Sequence, residues 1–204
     1  MGIDFERDGL WQTVSFVGFT AVFVGYLSVW LPGPGVGLSF IGIELGEWIK
    51  FLGVRGMRNL FYLPPITLGW LLALQTVGWP NRWQTWGMRA VAFAVSWLSF
   101  PAIEAILGEP RSEWLLRLLL IAAVGAVAVG VHFLPTVWKR PILLFTAILG
   151  LLGAVLPTWV YFQVRPLVEN VVGLSIGIGL GVWLNGLGHL AQTAVGLREW
   201  RKEH

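Results

Sequence analysis

Six apolar runs, each about twenty residues long and cut apart by short clusters of Pro, Gly, Trp and charge, constrain this chain more than any motif in it. A helix rises 1.5 Å per residue, so about twenty apolar residues reach across the ~30 Å hydrocarbon layer of a bilayer. A backbone in lipid has no water to bond with, which selects helices over open sheet. The runs predict six transmembrane helices at about 11–31, 61–79, 86–107, 114–134, 142–162 and 167–196. Only 12% of the 204 residues are charged against 56% hydrophobic, and the mean hydropathy is +0.72. A water-soluble domain carries about 25% charged residues. The reading is therefore one all-α, polytopic membrane helix bundle over residues 1–204, with the lipid bilayer as its solvent.

Helix-stopping residues mark the ends of the runs. Pro32 and Pro34 in LPGPG close the first, and Pro64 and Pro65 fall where the first turn of the second tolerates them. Pro135 and the Lys139, Arg140, Pro141 corner end the fourth. Pro101 is expected to kink the third run and Pro157 to bend the fifth. Trp11, Trp30 and the loop GWPNRWQTWGMR lie at run ends, where indoles favour the head-group layer. The acidic start MGIDFERDGL lacks the basic region and cleavage site of a secretion signal, so the first run is expected to be retained.

Residues 41–58 follow a different pattern. Ile41, Leu45, Trp48 and Leu52 recur at helical spacing, Glu44, Glu47 and Lys50 fall off that face, and Arg55 and Arg58 follow. This predicts one interfacial amphipathic helix lying along the bilayer rather than through it.

The last run is the most regular. Gly173, Gly177 and Gly181 recur every fourth residue, and Asn185, His189 and Thr193 continue the series. Ala122, Ala126 and Gly130 repeat that spacing in the fourth run, and Thr146, Gly150, Ala154 and Thr158 in the fifth. On a helix such a series is a ridge of small side chains into which a neighbouring backbone can settle. Gly173, Gly177, Gly181, Gly150, Ala154, Ala126 and Gly130 are accordingly the expected helix-packing surface.

Few residues are equipped for chemistry. His132 and His189 fall near the ends of two runs that travel in the same direction, and paired imidazoles there could ligate a haem iron or a chlorophyll magnesium. Glu104 is the carboxylate of the third run, with Arg117 as its candidate partner, and Glu113 precedes Arg117 at the favourable i, i+4 spacing. Gln75, Arg89, Asn185 and Gln192 are expected at the histidines' end of the bundle, as a polar vestibule or as interhelical hydrogen bonds. Glu104, Asn185, Arg89 and Gln75 are thus the membrane-embedded polar candidates. No catalytic residue and no metal site is assigned. The chain has no Cys, no P-loop and no HExxH, and its only aspartates are Asp4 and Asp8.

The net charge of +3 and pI near 9.7 do not point to nucleic acid. Lys and Arg are scattered between apolar runs, as head groups and the positive-inside effect require. With six crossings the termini share a side with Arg82, Arg89, Lys139 and Arg140, a small basic excess that orients them to the cytoplasm.

Three functions fit these residues. The first is a non-enzymatic membrane protein, either a small permease or a subunit docking partner membrane subunits or further copies of itself. The second is a haem- or chlorophyll-binding subunit ligated through His132 and His189. The third is a lipid-modifying membrane enzyme using Glu44, Glu47 and Arg55 or Arg58 at head-group level.

Overall fold

The computed structural model describes residues 5–33 and 39–203. The Pro34–Gly35 part of the predicted LPGPG turn and the first four residues of the acidic tail lie outside them. Among the described residues the chain is all-α apart from one short two-stranded ribbon. Its elements are α1 (Phe5–Leu27), β1 (Val29–Leu31), β2 (Phe40–Ile41), α2 (Gly42–Trp48), α3 (Leu63–Gln75), α4 (Trp83–Ser96), α5 (Ile103–Gly108), α6 (Leu115–Gly130), α7 (Lys139–Val172) and α8 (Leu180–Lys202).

Three helices are long and apolar enough to cross a membrane: Gly9–Leu27, Leu115–Phe133 and Lys139–Val172. The others depart from the six-run expectation for physical reasons. α3 has 13 residues and α4 has 14, about 20 Å each at 1.5 Å per residue. α3 is the central helix, packed on α1, α4, α6 and α7, with all but Leu63, Trp70 and Gln75 buried. Pro64 and Pro65 open it at positions where the missing N–H groups have no helical partner. Pro101 breaks the third run instead of kinking it: α4 ends at Ser96, a 3₁₀ turn follows, and α5 starts afresh at Ile103.

The fifth and sixth runs are divided differently from the prediction. α7 continues for 34 residues through Gln163, Arg165 and Pro166. Gly173 ends it in the left-handed conformation, φ +72°, which glycine adopts without steric cost. Residues 174–179 are then irregular and α8 begins at Leu180. The Gly173–Gly177–Gly181 series is therefore not one helical ridge. A helical glycine costs about 1 kcal/mol relative to alanine, and here the run serves a close backbone crossing instead. The Gly179 N–H donates to the Trp30 carbonyl at 3.0 Å, and a Cβ on Gly179 would lie 2.2 Å from the Val29 carbonyl oxygen.

β1 replaces the last turn expected of the first helix. Trp30, read as an interfacial anchor, is fully buried, with its indole N–H on the Gly25 carbonyl at 2.8 Å. The predicted interfacial helix is broken as well. α2 has seven residues, a 3₁₀ turn covers Ile49–Leu52, and a second 3₁₀ turn at Arg58–Tyr62 leads into α3. Leu45, Ile49 and Phe61 are buried against Tyr161, Val164 and Val168 of α7. Gly46 permits this, since a Cβ there would meet the Tyr62 ring at 2.7 Å.

α8 packs antiparallel to both α1 and α7. Gly18 faces Gly188 and Gln192, Gly25 faces Gly181 and Asn185, and Gly150 faces His189 and Thr193. The outward face of α8 is Leu180, Trp183, Leu187, Leu190 and Leu197, all exposed. Its inward face is Asn185, His189 and Gln192, none more than 2% exposed. Apolar outside and polar inside reverses the order water imposes on a soluble helix.

Candidate functional site: a vestibule and an ion-pair cluster at opposite ends

At the end of the bundle where the termini meet, α1, α3, α7 and α8 leave a cavity of about 380 Å³. Phe19, Leu71, Leu74, Ile142, Leu143 and Val195 form apolar walls. Ser15 and Gln192 close the floor. The Ser15 hydroxyl donates to Gln192 Oε1 at 3.2 Å, and Gln192 Nε2 donates to the Ser15 carbonyl at 2.7 Å. Gln75 is exposed and lines the same cavity, with Lys139, Arg198, Glu199 and Lys202 around it. A Lys139–Glu203 ion pair ties the start of α7 to the end of α8, and the Arg198 guanidinium lies 4.9 Å from the Trp11 ring centroid.

Below the floor the polar column continues. His189 is fully buried. Its Nδ1 lies 3.0 Å from the Asn185 carbonyl and its Nε2 2.8 Å from the Thr67 hydroxyl. A carbonyl only accepts, so Nδ1 carries the proton and Nε2 receives the Thr67 hydrogen. A Cβ on Gly153 would lie 2.3 Å from the imidazole, so the ring fills its slot. Asn185 donates to the Gly153 carbonyl at 3.2 Å.

The opposite end is closed by charge. Arg58 and Arg117 are each 1% exposed. Arg58 pairs with Glu109, and its Nε lies 3.3 Å from Glu113. Arg117 reaches Glu47 at 3.4 Å and lies 3.9 Å from the Tyr62 ring centroid. Lys50 bridges Glu47 and Glu109 at 3.1 Å each, and the Tyr62 hydroxyl donates to Glu47. These residues come from α2, both 3₁₀ turns, the segment after α5 and the start of α6, so the cluster fastens five pieces of chain. Burial pushes the Glu47 carboxyl up, but the Tyr62 hydrogen bond, Lys50, Arg58 and Arg117 outweigh it and hold Glu47 below its usual 4.5. Glu109 is likewise held low against burial by Arg58 and Lys50. Burial and the bond to Glu47 push the Tyr62 phenol well up. Nε and Nη2 of Arg117 and the Tyr26 hydroxyl are buried with no hydrogen-bond partner among the described residues.

The remaining predicted residues are dispersed. His132 is exposed at the far end of α6, beside the Trp86 ring, while His189 is enclosed in the middle of α8. The two do not frame a ligand: both His189 nitrogens are engaged inside the protein, and α8 starts at Leu180, not Leu167, so the histidines lie at different depths. Glu104 is exposed on α5 and has no part in the Arg117 cluster. Glu113 turns to Arg58 because Trp114, at φ −132° and ψ −24°, interrupts the helix that i, i+4 pairing with Arg117 required. Arg89 is buried, donating to Thr76 Oγ1 at 3.0 Å beneath the Trp86 ring. Gly150, Gly181 and Ala154 face other helices, whereas Ala126 is exposed and Gly130 has open space at its Cβ position. Glu44 stays local, near the Ile41 N–H at 3.4 Å. Ser15, Thr67, Tyr62 and Tyr26 escaped the sequence reading. Each is a common core residue at an unremarkable spacing, and only its partner identifies it.

No family model, no curated protein and no solved structure matches this chain.

Proposed function

We propose that the chain is an integral membrane protein crossing the bilayer six times and acting as a small permease. The reading is carried by one asymmetry. A cavity opens at the end that holds the termini, a hydrogen-bonded polar column lies beneath it, and ion pairs seal the other end. In this reading α1, α6 and α7 cross as full-length helices, α8 crosses with its apolar face to lipid, and the shorter α3 and α4 cross inside or against that shell, where protein satisfies what lipid cannot. Residue for residue, the basic excess on the side of the termini supports a cytoplasmic vestibule. Exchange of access requires the cluster around Glu47, Arg58, Glu109 and Arg117 to open while the vestibule narrows, a movement of the kind that alternating-access transporters make around a fixed site.

Single cysteines test this directly, because the chain has none of its own. In sealed vesicles of known orientation, Thr146→Cys reacts with a membrane-impermeant maleimide added on the side of the termini. Ser99→Cys, buried where the Ser99 hydroxyl donates to the Tyr62 carbonyl, is silent until Glu47→Gln loosens the seal. It then reacts from the opposite side while labelling at Thr146→Cys slows. Unchanged labelling at both positions after Glu47→Gln overturns the reading.

A further inference from the structure

We infer that the Glu47 carboxylate has a second seat deeper in the bundle, on an empty edge of Arg117 beside Tyr26, and that its transfer there opens the charged end. The inference rests on the permease reading and names the group that moves in it.

Arg117 is used at one corner only. Its Nη1 reaches Glu47 Oε1 at 3.4 Å, long for a charged pair, whose well-made bonds are about 2.7–2.9 Å. Nε and Nη2 are buried with no hydrogen-bond partner among the described residues. These two nitrogens share one edge of the planar guanidinium, the edge that takes both oxygens of a carboxylate at once. The Tyr26 hydroxyl, from α1, is buried and unbonded as well. Tyr62, Arg117 and Glu47 are the titratable groups within its electrostatic reach. Idle donors are costly away from water, and these surround a cation that is 1% exposed.

α2 touches both tyrosines. A Cβ on Gly42 would lie 2.8 Å from the Tyr26 ring, and one on Gly46 would lie 2.7 Å from the Tyr62 ring. This packing fixes the backbone beside Glu47, so the carboxylate changes place by turning about its own side-chain bonds. In the outer seat it accepts from the Tyr62 hydroxyl and from Lys50. In the inner seat it accepts from Nε and Nη2 of Arg117 and from the Tyr26 hydroxyl. The outer seat holds α2 to the segment after α5, because Lys50 bridges Glu47 and Glu109 at 3.1 Å each. Transfer cuts that bridge and leaves Arg117 neutralised.

A solute anion suits the edge less well. Lys50, Arg58 and Arg117 already meet Glu47, Glu109 and Glu113 one for one, and a further charge out of water would be uncompensated. The chain's own carboxylate adds none.

The test uses the full chain with Ser99→Cys in sealed vesicles and reads maleimide labelling from the side opposite the termini. Tyr62→Phe frees Glu47 from the outer seat and raises labelling several-fold. Tyr26→Phe removes a donor of the inner seat and no bond of the present fold, so adding it returns labelling to the level of Ser99→Cys alone. Tyr26→Phe by itself unfolds at the same temperature as its parent. A lower unfolding temperature means that the hydroxyl is bonded in the closed state, and overturns the second seat. So does a rise in Tyr62→Phe that Tyr26→Phe leaves untouched, the result expected if buried water occupies the edge. Labelling raised by Glu47→Gln but not by Tyr62→Phe also removes the seat, and in each of these cases the permease reading stands. Labelling raised by neither sinks that reading and the seat with it.

Discussion

Asn185 Nδ2 lies 3.2 Å from the carbonyl oxygen of Gly153, the oxygen that Pro157, four residues on and lacking an N–H, leaves without its helical partner. A side chain of α8 thus completes the backbone of α7. This welds the two helices at the level of His189, where Gly153 also makes room for the imidazole.

The coupling can be measured. Asn185→Ala in the native background is expected to cost about 1–3 kcal/mol, the usual consequence of leaving a buried acceptor unpaired. Pro157→Ala restores the α7 N–H, so the same Asn185→Ala change costs less in that background. A double-mutant cycle of unfolding in detergent reads the difference. A coupling of zero means that the Gly153 carbonyl does not need Asn185.

Glycines separate cleanly into packed and open. Gly153→Ala sets a methyl 2.3 Å from His189, and Gly181→Ala sets one 2.2 Å from Trp30. Both are expected to destabilise by about 1–3 kcal/mol or more through overpacking. Gly130→Ala and Gly186→Ala meet nothing and are expected to be neutral, or to gain up to about 1 kcal/mol of helix propensity. Gly177, whose nearest Cβ contact is Pro32 at 3.9 Å, belongs with the tolerant class. Thermal aggregation onset of the purified variants ranks them, and an order that ignores this division refutes the packing.

Acid is expected to loosen the charged end. Glu47 and Glu109 titrate lower in the fold than their usual 4.5. Their contribution is complete above that value and is lost as pH falls through their depressed folded values. The share of stability that these two carboxylates supply is therefore expected to be level from about pH 7 to 5 and to decline below 4.5, as linkage requires. In Glu47→Gln with Glu109→Gln the decline over that window is shallower. An identical pH profile in the double variant places the acid sensitivity elsewhere.

Arginines at the two ends should respond unequally. Arg58→Met leaves Glu109 to Lys50 alone and takes from Glu113 its ion-pair partner, and it is expected to cost up to about 3–5 kcal/mol, as removal of one partner of a buried pair does. Arg89 has no carboxylate partner among the described residues, and its Nη1 is buried unbonded. Arg89→Met is expected to change stability by less than about 1 kcal/mol in either direction. A severe loss at Arg89 would reveal a counter-charge outside the described residues.

The class of the fold was legible because it depends on run length and composition, which are local. Asn185 and His189, four residues apart, share a face wherever the helix starts, and in the fold α8 turns that face inward with Gln192 beside it. The start itself was not legible: an apolar, glycine-rich stretch reads as helix, whereas Gly173 ends α7 in the left-handed conformation and the Val29–Trp30 backbone lies across Gly179 before α8 begins. The charged end was hidden for a related reason. Glu47 and Arg117 are 70 positions apart, and Arg58 and Glu109 are 51 apart. No spacing rule connects them, whereas the nearby Glu113–Arg117 pair invited a contact that the break at Trp114 prevents. The Ser15–Gln192 floor, 177 positions apart, was invisible in the same way.

That floor joins α1 to α8, and the Gly179–Trp30 bond joins the strand after α1 to the segment before α8. During synthesis α1 leaves the ribosome with Ser15, Gly18 and Gly25 uncovered, and their partner is made only after α7. Until α8 arrives the molecule has neither its cavity nor the strand contact behind it. A nascent chain stalled before Leu180 accordingly presents α1 with Ser15 unpaired and its glycine groove empty, which is the state that a membrane chaperone or a quality-control protease would find.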